Sequence, residues 1–395
     1  MNLEHSQTWL THHSTLLCLV LLCLILLCLV LVHIVNILQQ PPGLCICGTT
    51  ASEGQDIRKL TMTTMIPPTM RGIVIEEFNK PYVYRTDIPT PKPKPGEMLI
   101  KMKAAGFCHT ELMAAKVMSF SIFPRLNAIL TIQGKCRECL RGSTNYCISN
   151  TLSGLTIGGG MAEYMIADPL WTVKLPDDMP FEVAAPLMCA GSTMYNSIQR
   201  AKMPTGSIVA IIGLGGLGHL GVQFAKVMGY KVVAIDTRDE PLALMSTLPP
   251  RLQPDLVLNA KSGVPAALEA ISTAFSSSTV PSLRATGVDF ALVSTDALPA
   301  FAFATDIIEK HGTLVVVGQP EKPIPLPYSV FISTDLVVIA GCLGQPSTNS
   351  EMLATVQREG IHVERRAYEL SDVEKLIKDY HDPGMKGKLI FKIED

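Results

Sequence analysis

The chain has 395 residues, with 35 acidic and 33 basic side chains, a formal net charge of −2 and only 17% charged residues. No long basic run is present, so nothing points to nucleic acid as a partner. The length accommodates two domains and an appendage, and eleven cysteines without an obvious paired framework indicate thiols or metal ligands in a reducing compartment.

Residues 1–64 read as a leader. Leu16 to Val32 is a run of 17 apolar residues, extended to Leu38 with interruptions only at His33 and Asn36. About 20 apolar residues span the hydrocarbon core, so 16–38 is a candidate hydrophobic, membrane-spanning helix. The first 15 residues carry no Lys or Arg and no small-residue cleavage site follows, which fits a signal peptide less well. Cys18, Cys23 and Cys28 recur every five residues in near-repeats of L-L-C-L-V. That step turns about 140° around a helix, so they share no face. A low-complexity stretch without a selected role is the alternative. Arg58 and Lys59 follow at a distance, so a single-pass anchor would leave the body on the cytoplasmic side. Without an anchor, the expectation is a cytoplasmic protein. Residues 39–64, with Pro41, Pro42 and Gly43, read as a linker.

From Met65 the pattern becomes that of a folded domain. Arg71 to Phe78 and Glu97 to Ala105 read as strands around the proline-rich Pro89 to Gly96, which suggests a small barrel. Gly106-Phe107-Cys108-His109-Thr110-Glu111 follows. Cys136, Cys139 and Cys147 come next, then candidate return strands at Gly158 to Tyr164 and Trp171 to Leu175. Phe181 to Ser197 reads as a helix carrying Cys189.

The most informative stretch is Ser207 to Asp236. Ile208 to Ile212 suits a fully buried strand. Gly213, Gly215 and Gly218 stand in G-x-G-x-x-G spacing, with Gly216 and Leu217 inside it. Leu217, Leu220, Phe224, Ala225 and Met228 then recur at helical spacing until Gly229 stops the helix. A second apolar run, Lys231 to Ile235, ends on Asp236, 23 residues after Gly213. This strand–glycine loop–helix–strand–acid order is a dinucleotide fingerprint. The glycines permit the turn, the approach of a pyrophosphate and close helix packing, and the helix N-terminus faces the phosphates. Asp236 can accept from both ribose hydroxyls and would repel a 2′-phosphate, which favours NAD over NADP. Beyond it, Leu256 to Leu258, Phe290 to Val293, Thr313 to Val317 and Val337 to Cys342 read as strands, Ala300 to Glu309 as a helix, and Ser272 to Ser282 as a surface loop.

Taken together, A-A-G-F-C-H-T-E-L, C-R-E-C-L-R-G-S-T-N-Y-C, A-P-L-M-C-A-G, G-L-G-G-L-G and M-K-G-K-L-I-F-K-I resemble the zinc-dependent medium-chain alcohol dehydrogenases, particularly the yeast-like branch. The resemblance covers about residues 66–118 and 134–395. It implies an α/β fold: a Rossmann-type doubly wound parallel sheet inserted into a GroES-like barrel catalytic domain. The division would be 65–190 catalytic, 191–342 NAD-binding and 343–395 catalytic again. It implies zinc-assisted, reversible NAD-dependent oxidation of primary or secondary alcohols, small-molecule substrates, to aldehydes or ketones, and is compatible with a homo-oligomer. By the same resemblance, Cys108 and Cys189 are catalytic zinc ligands, Thr110 and His109 relay the alcohol proton, and Glu111 supports the metal shell. Val317 falls where the sheet reaches the nicotinamide. Lys388 lies near the pyrophosphate, its alternative being an exposed lysine.

Two departures stand out. The family's third catalytic ligand, a histidine in a G-H-E segment, is missing, since His109 is the only histidine between Cys108 and Cys189. Its structural zinc loop has four cysteines, whereas here Cys136, Cys139 and Cys147 are joined by Gln133 at the first position. Structural zinc sites are almost always closed by four N or S ligands, so this site is incomplete. One faulty junction near 119–133 accounts for both losses and removes barrel strands. The rival readings are an NAD-binding homologue without competent zinc chemistry and a zinc-independent reductase of the same superfamily.

Overall fold

A computed structural model describes residues 66–116, 129–131, 135–149, 151–154, 157–275 and 286–394. The expected spanning helix at 16–38 and the linker at 39–64 lie outside the described residues. Among those described, no helix is long and apolar enough to cross a membrane.

The first part of the chain forms seven short strands: β1 (Thr69–Val74), β2 (Val83–Pro89), β3 (Met98–Lys101), β4 (Ala104–Gly106), β5 (Ile129–Thr131), β6 (Thr151–Leu152) and β7 (Tyr164–Ala167). The cofactor-type half follows with β8 (Ile208–Ile212), β9 (Lys231–Asp236), β10 (Leu256–Asn259), β11 (Val288–Val293), β12 (Ile308–Val316) and β13 (Val337–Ala340). The chain ends with β14 (Arg365–Glu369) and β15 (Lys388–Lys392).

Strands β8 to β13 make one six-stranded sheet in the order β10-β9-β8-β11-β12-β13. All its pairings are parallel. The order reverses beside β8, which creates the crevice in which doubly wound sheets bind ligands. Every residue of β8 is buried, as expected of a parallel strand covered on both faces. One apolar cluster on the sheet gathers Val209, Ile211, Leu220, Phe224 and Met194, and a second gathers Ala210, Ile212, Ile271, Phe301 and Leu314. Alternate residues of β8 thus feed opposite layers. Each fully buried side chain of this size contributes about 1.5–3 kcal/mol.

The other strands form separate small sheets, β1-β2, β3-β7, β5-β6 and β14-β15-β4, rather than one closed barrel among the described residues. Glu97 to Ala105 is not one strand. The chain changes partners at Met102 and Lys103, because β3 pairs with β7 whereas β4 pairs with β15. The first strand starts earlier and stops at Val74, short of Phe78. Gly158 to Met161 carries no strand, and the return begins at Tyr164. Trp171 to Leu175 is not a strand either. Asp168 turns the chain there, its carbonyl accepting from the Trp171 and Thr172 amides and its carboxylate from Leu170 N at 2.9 Å.

Other boundaries shift modestly. Helix extends from Phe181 to Ala201, interrupted by a π-turn at Leu187–Gly191. The expected helix at Ala300 to Glu309 spans Leu298–Ile307, and β12 begins directly at Ile308. Val317 lies just past β12, and Gly341 and Cys342 lie past β13. The helix Val264–Phe275 occupies the start of the expected serine loop, whose remainder lies outside the described residues.

Candidate active site

Cys108 precedes the short helix His109–Ala115 in extended conformation, and its amide donates to Glu111 Oε2 at 2.9 Å. The turn thus holds both side chains on one side. Cys189 sits in the π-turn, a local widening of the helix common at functional positions. It arrives opposite Cys108, and the Cys189 thiol donates to the Cys108 sulfur at 3.6 Å. That bond holds Cys108 far below the usual thiol range, helped by the Lys388 ammonium, and pushes Cys189 far above it. Burial pushes the Glu111 carboxyl up to about 8, with Cys108 adding to the effect.

Lys388 is 5% exposed, which removes the exposed-lysine reading. Burial opposes its charge, but Cys108, Cys189 and Glu111 outweigh burial and raise its pKa. Its aliphatic stem lies against the glycine loop, where a Cβ built on Gly216 would be 2.6 Å from Lys388 Cδ. One side chain therefore joins the glycine loop to the thiol pair. The Thr110 hydroxyl lies 3.9 Å from the Cys108 sulfur. His109 Nδ1 is 3.2 Å from Tyr380 Oη, whereas its Nε2 is buried without a partner.

The glycine loop is tightly closed. Gly213 has φ +92°, and a Cβ on Gly218 would fall 1.9 Å from the Gly213 carbonyl oxygen. Leu217 precedes the helix Gly218–Val227 and packs against the core. Val317 is buried beyond β12, its amide donating to Val293 O at 3.1 Å. Nearby in sequence, Gln319 Oε1 is buried without a partner. Two buried polar atoms without a partner, His109 Nε2 and Gln319 Oε1, suit a polar ligand that supplies the missing partners.

Asp236 is engaged more fully than its position in sequence indicated. Oδ1 accepts from Thr237 N at 2.7 Å, Arg238 N at 3.0 Å and Arg238 Nε at 3.4 Å, and Oδ2 accepts from Leu214 N at 2.7 Å. The carboxylate therefore retains capacity for about one ribose hydroxyl rather than two. Arg238 Nη2 lies 3.4 Å from a Cβ built on Gly215, so a cation overhangs the loop. Arg238→Ala is expected to raise the NADH-to-NADPH affinity ratio at least about tenfold, because the cation that offsets Asp236 is lost. An unchanged ratio in fluorescence titrations would remove Arg238 from cofactor selection.

His219, directly after Gly218, ties the loop to the returning chain. Its Nδ1–H donates to Gly215 O at 2.9 Å and its Nε2 accepts from Glu364 N at 3.2 Å. Burial lowers its pKa to about 4. The unfolded chain binds this proton below about pH 6.5 and the folded chain only below about 4, so stability falls as pH drops through that window, by about 3 kcal/mol for this group. Denaturant midpoints at pH 7 and 4.5 should differ less in His219→Asn than in the parent; equal differences would refute the assignment.

The second cysteine group also assembles. The sulfurs of Cys136, Cys139 and Cys147 lie within 4.8 Å of one another, the sole such group of three ligands among the described residues. Backbone amides, that of Cys139 foremost, lower the Cys136 thiol to about 7, while burial and the neighbouring thiols raise Cys139 to about 11. By the same measure, no described His, Asp, Glu or further Cys joins both Cys108 and Cys189, so among the described residues this thiol pair has no third metal ligand.

The comparisons with known proteins agree with this geometry. An alcohol dehydrogenase from Geobacillus stearothermophilus is 31% identical over 350 residues, covering 81% of this chain and 97% of that protein. This chain belongs to the zinc-type alcohol dehydrogenase family. The zinc-binding dehydrogenase family model matches residues 216–358 and the alcohol dehydrogenase GroES-like domain model matches 125–177. A second alcohol dehydrogenase, from Rhizobium meliloti, is 33% identical over 288 residues, covering 66% of this chain and 80% of that one. Among solved structures, the Aeropyrum pernix alcohol dehydrogenase superposes with TM-score 0.71 at 23% identity, covering 82% and 99% of the two chains. Acetophenone reductase from Geotrichum candidum, in complex with NAD, superposes with TM-score 0.68 at 22% identity, covering 83% and 98%. In this family member, Arg238, His219 and Tyr380 escaped the reading from sequence. Only His219 had a local signal, its place beside the last fingerprint glycine.

Proposed function

We propose that this chain oxidises primary or secondary alcohols to aldehydes or ketones, reversibly and with NAD, and that as written it does so weakly. The observation that carries the reading is buried Lys388, whose stem packs on Gly216 and whose charge interacts with Cys108 and Cys189. Cofactor loop and thiol pair thereby share one cleft.

Its cofactors are NAD and zinc. The glycine loop fits the first, with Gly213, Gly215, Gly216, Leu217 and Gly218 at the phosphates, Asp236 at the ribose, and Val317 and Gln319 toward the nicotinamide. Bound NAD supplies a hydride acceptor. Zinc fits only in part, because a catalytic zinc takes three protein ligands and one open position, and the described residues offer Cys108 and Cys189. What the chain's own residues do is hold the reacting oxygen near that pair and move its proton. Thr110 lies beside Cys108, and His109 presents an unpartnered Nε2 while Tyr380 orients its other nitrogen. Buried Lys388 balances negative charge on the thiol pair and Glu111.

The absence of an internal segment near 119–133 belongs to this reading. The alignment with the Geobacillus protein spans 350 positions and draws on 81% of this chain, about 320 residues, so roughly 30 positions in all are gaps in this chain, which leaves room for such an absence. The test is Cys189→Ser with zinc counted by elemental analysis: the residual activity should vanish while NADH still binds. A parent with full activity and two tightly held zincs per chain would overturn the impairment.

A homo-oligomer is part of the same proposal. β13 is the sheet's edge strand, with Val337 50% and Val338 37% exposed, and Ile332 nearby in sequence is 80% exposed. An apolar, unpaired edge is a template for a second copy. Val338→Lys should reduce the assembly to monomers by sedimentation velocity; a parent that already sediments as a monomer would sink this part.

A further inference from the structure

We propose that the Gln319 side chain reads the substituent of the nicotinamide ring, its Oε1 accepting a hydrogen bond from the carboxamide N–H. This role rests on the NAD binding proposed for the same cleft and adds a side chain that selects the ring. The sheet sets the placement. Its strands run in the order β10-β9-β8-β11-β12-β13, all parallel, so their carboxyl ends lie along one edge. Asp236 at the end of β9 suits a ribose, and the glycine loop after β8 suits the pyrophosphate. A dinucleotide laid across those two ends continues past β11 toward β12, in steps of about 4.8 Å per strand. Its second ring therefore comes to the end of β12, where Val317, Gly318 and Gln319 leave the sheet.

The backbone is pinned at that point. The amides of Val317 and Gly318 both donate to Val293 O, at 3.1 and 2.8 Å. A Cβ built on Gly318 would stand 1.9 Å from the Thr295 carbonyl oxygen, and one built on Gly213 would stand 3.1 Å from Thr295 Cβ. Thr295 thus packs against both the glycine loop and the residue before Gln319. On the other flank Gly341 closes on Val317, where a built Cβ would fall 2.7 Å from Val317 Cγ2. Beside these fixed contacts, Gln319 Oε1 is buried with no hydrogen-bond partner. A buried carbonyl oxygen without a donor is costly, so it is retained where a ligand supplies the donor. The carboxamide carries N–H donors, whereas the free edge of the ring offers only C–H. An amide oxygen at this place therefore favours a carboxamide over a substituent of similar size that has no N–H.

The experiment is isothermal titration calorimetry on the full chain, with no alcohol or aldehyde present. It compares NADH with its reduced acetylpyridine analogue, in which a methyl ketone keeps the carbonyl and loses the N–H donors. The parent should hold NADH at least about tenfold more tightly than the analogue, as expected when a buried acceptor is left unpaired. Gln319→Met keeps the length and loses the acceptor. It should weaken NADH about tenfold and leave the analogue within about twofold, which abolishes the discrimination. Circular dichroism reports whether the variant folds, and the comparison on the parent carries the test even if it does not. The proposal is overturned if the parent binds the two dinucleotides alike, or if Gln319→Met keeps the parent's preference, as it would were Gln319 only structural. A parent that binds neither dinucleotide would sink the NAD reading itself, and this role with it.

Discussion

Replacing Ser119 to Gln133 with the corresponding segment of the Geobacillus relative is expected to raise alcohol dehydrogenase activity at least about a hundredfold, because losing even groups that only orient a metal ligand costs 10–100-fold. The thiol pair already stands at 3.6 Å, with Glu111 bonded to the Cys108 amide and Lys388 beside it. Among the described residues it has no third ligand. A site of two cysteines and one histidine with one open position binds zinc and acidifies an alcohol placed there. If that segment carries the histidine and the first structural cysteine that the family resemblance implies, zinc should rise from at most one labile ion to two per chain. Thermal stability should rise with it, because closing a structural zinc site contributes directly to folding. The control is Cys189→Ser in the repaired chain, which should lose activity while retaining NADH. A repaired chain that holds two zincs yet stays inactive would show that some other substitution disables the protein.

The second large effect is expected at Gly218. A methyl group there would stand 1.9 Å from the Gly213 carbonyl oxygen and 3.3 Å from Ser294 Oγ. The first contact is with backbone in the tightest part of the loop, which Gly213 enters at φ +92°. Ser294 Oγ also donates to Gly213 O at 2.7 Å, so the carbonyl cannot retreat without breaking that bond. Gly218→Ala must therefore displace the helix from β8. We expect a loss of about 3 kcal/mol or more in stability and at least about a hundredfold in NADH affinity, read by chemical denaturation and fluorescence titration. Gly158→Ala, where an added methyl meets nothing within 4 Å, should change neither. An alanine at 218 that leaves NADH affinity intact would mean that this closure does not shape the cofactor site.

By itself, the sequence determined the first strand–loop–helix–strand unit of the cofactor half. A buried parallel strand must be apolar throughout, a tight phosphate turn must be glycine, and a helix that follows must show its period. Ile208 to Asp236 carries all three signals in adjacent residues, so β8, the loop, the helix and β9 were legible at once. Cys108 and Cys189, which the fold brings together, were singled out by their short flanking strings. The small sheets were not. Met102 and Lys103 look like continuing strand because alternation says nothing about which partner takes the next hydrogen bond, and only the arrival of β15 from the far end of the chain divides β3 from β4. The same long-range return decided the site. Lys388 is a lysine with two plausible fates in sequence, and burial beside Cys108, Cys189 and Glu111 selects one. Asp236 reads as a free acid until Leu214, Thr237 and Arg238 are seen to occupy it. Distances between sulfurs 81 residues apart, and the amides that occupy most of a carboxylate, are properties of packing, and packing is where this site is made.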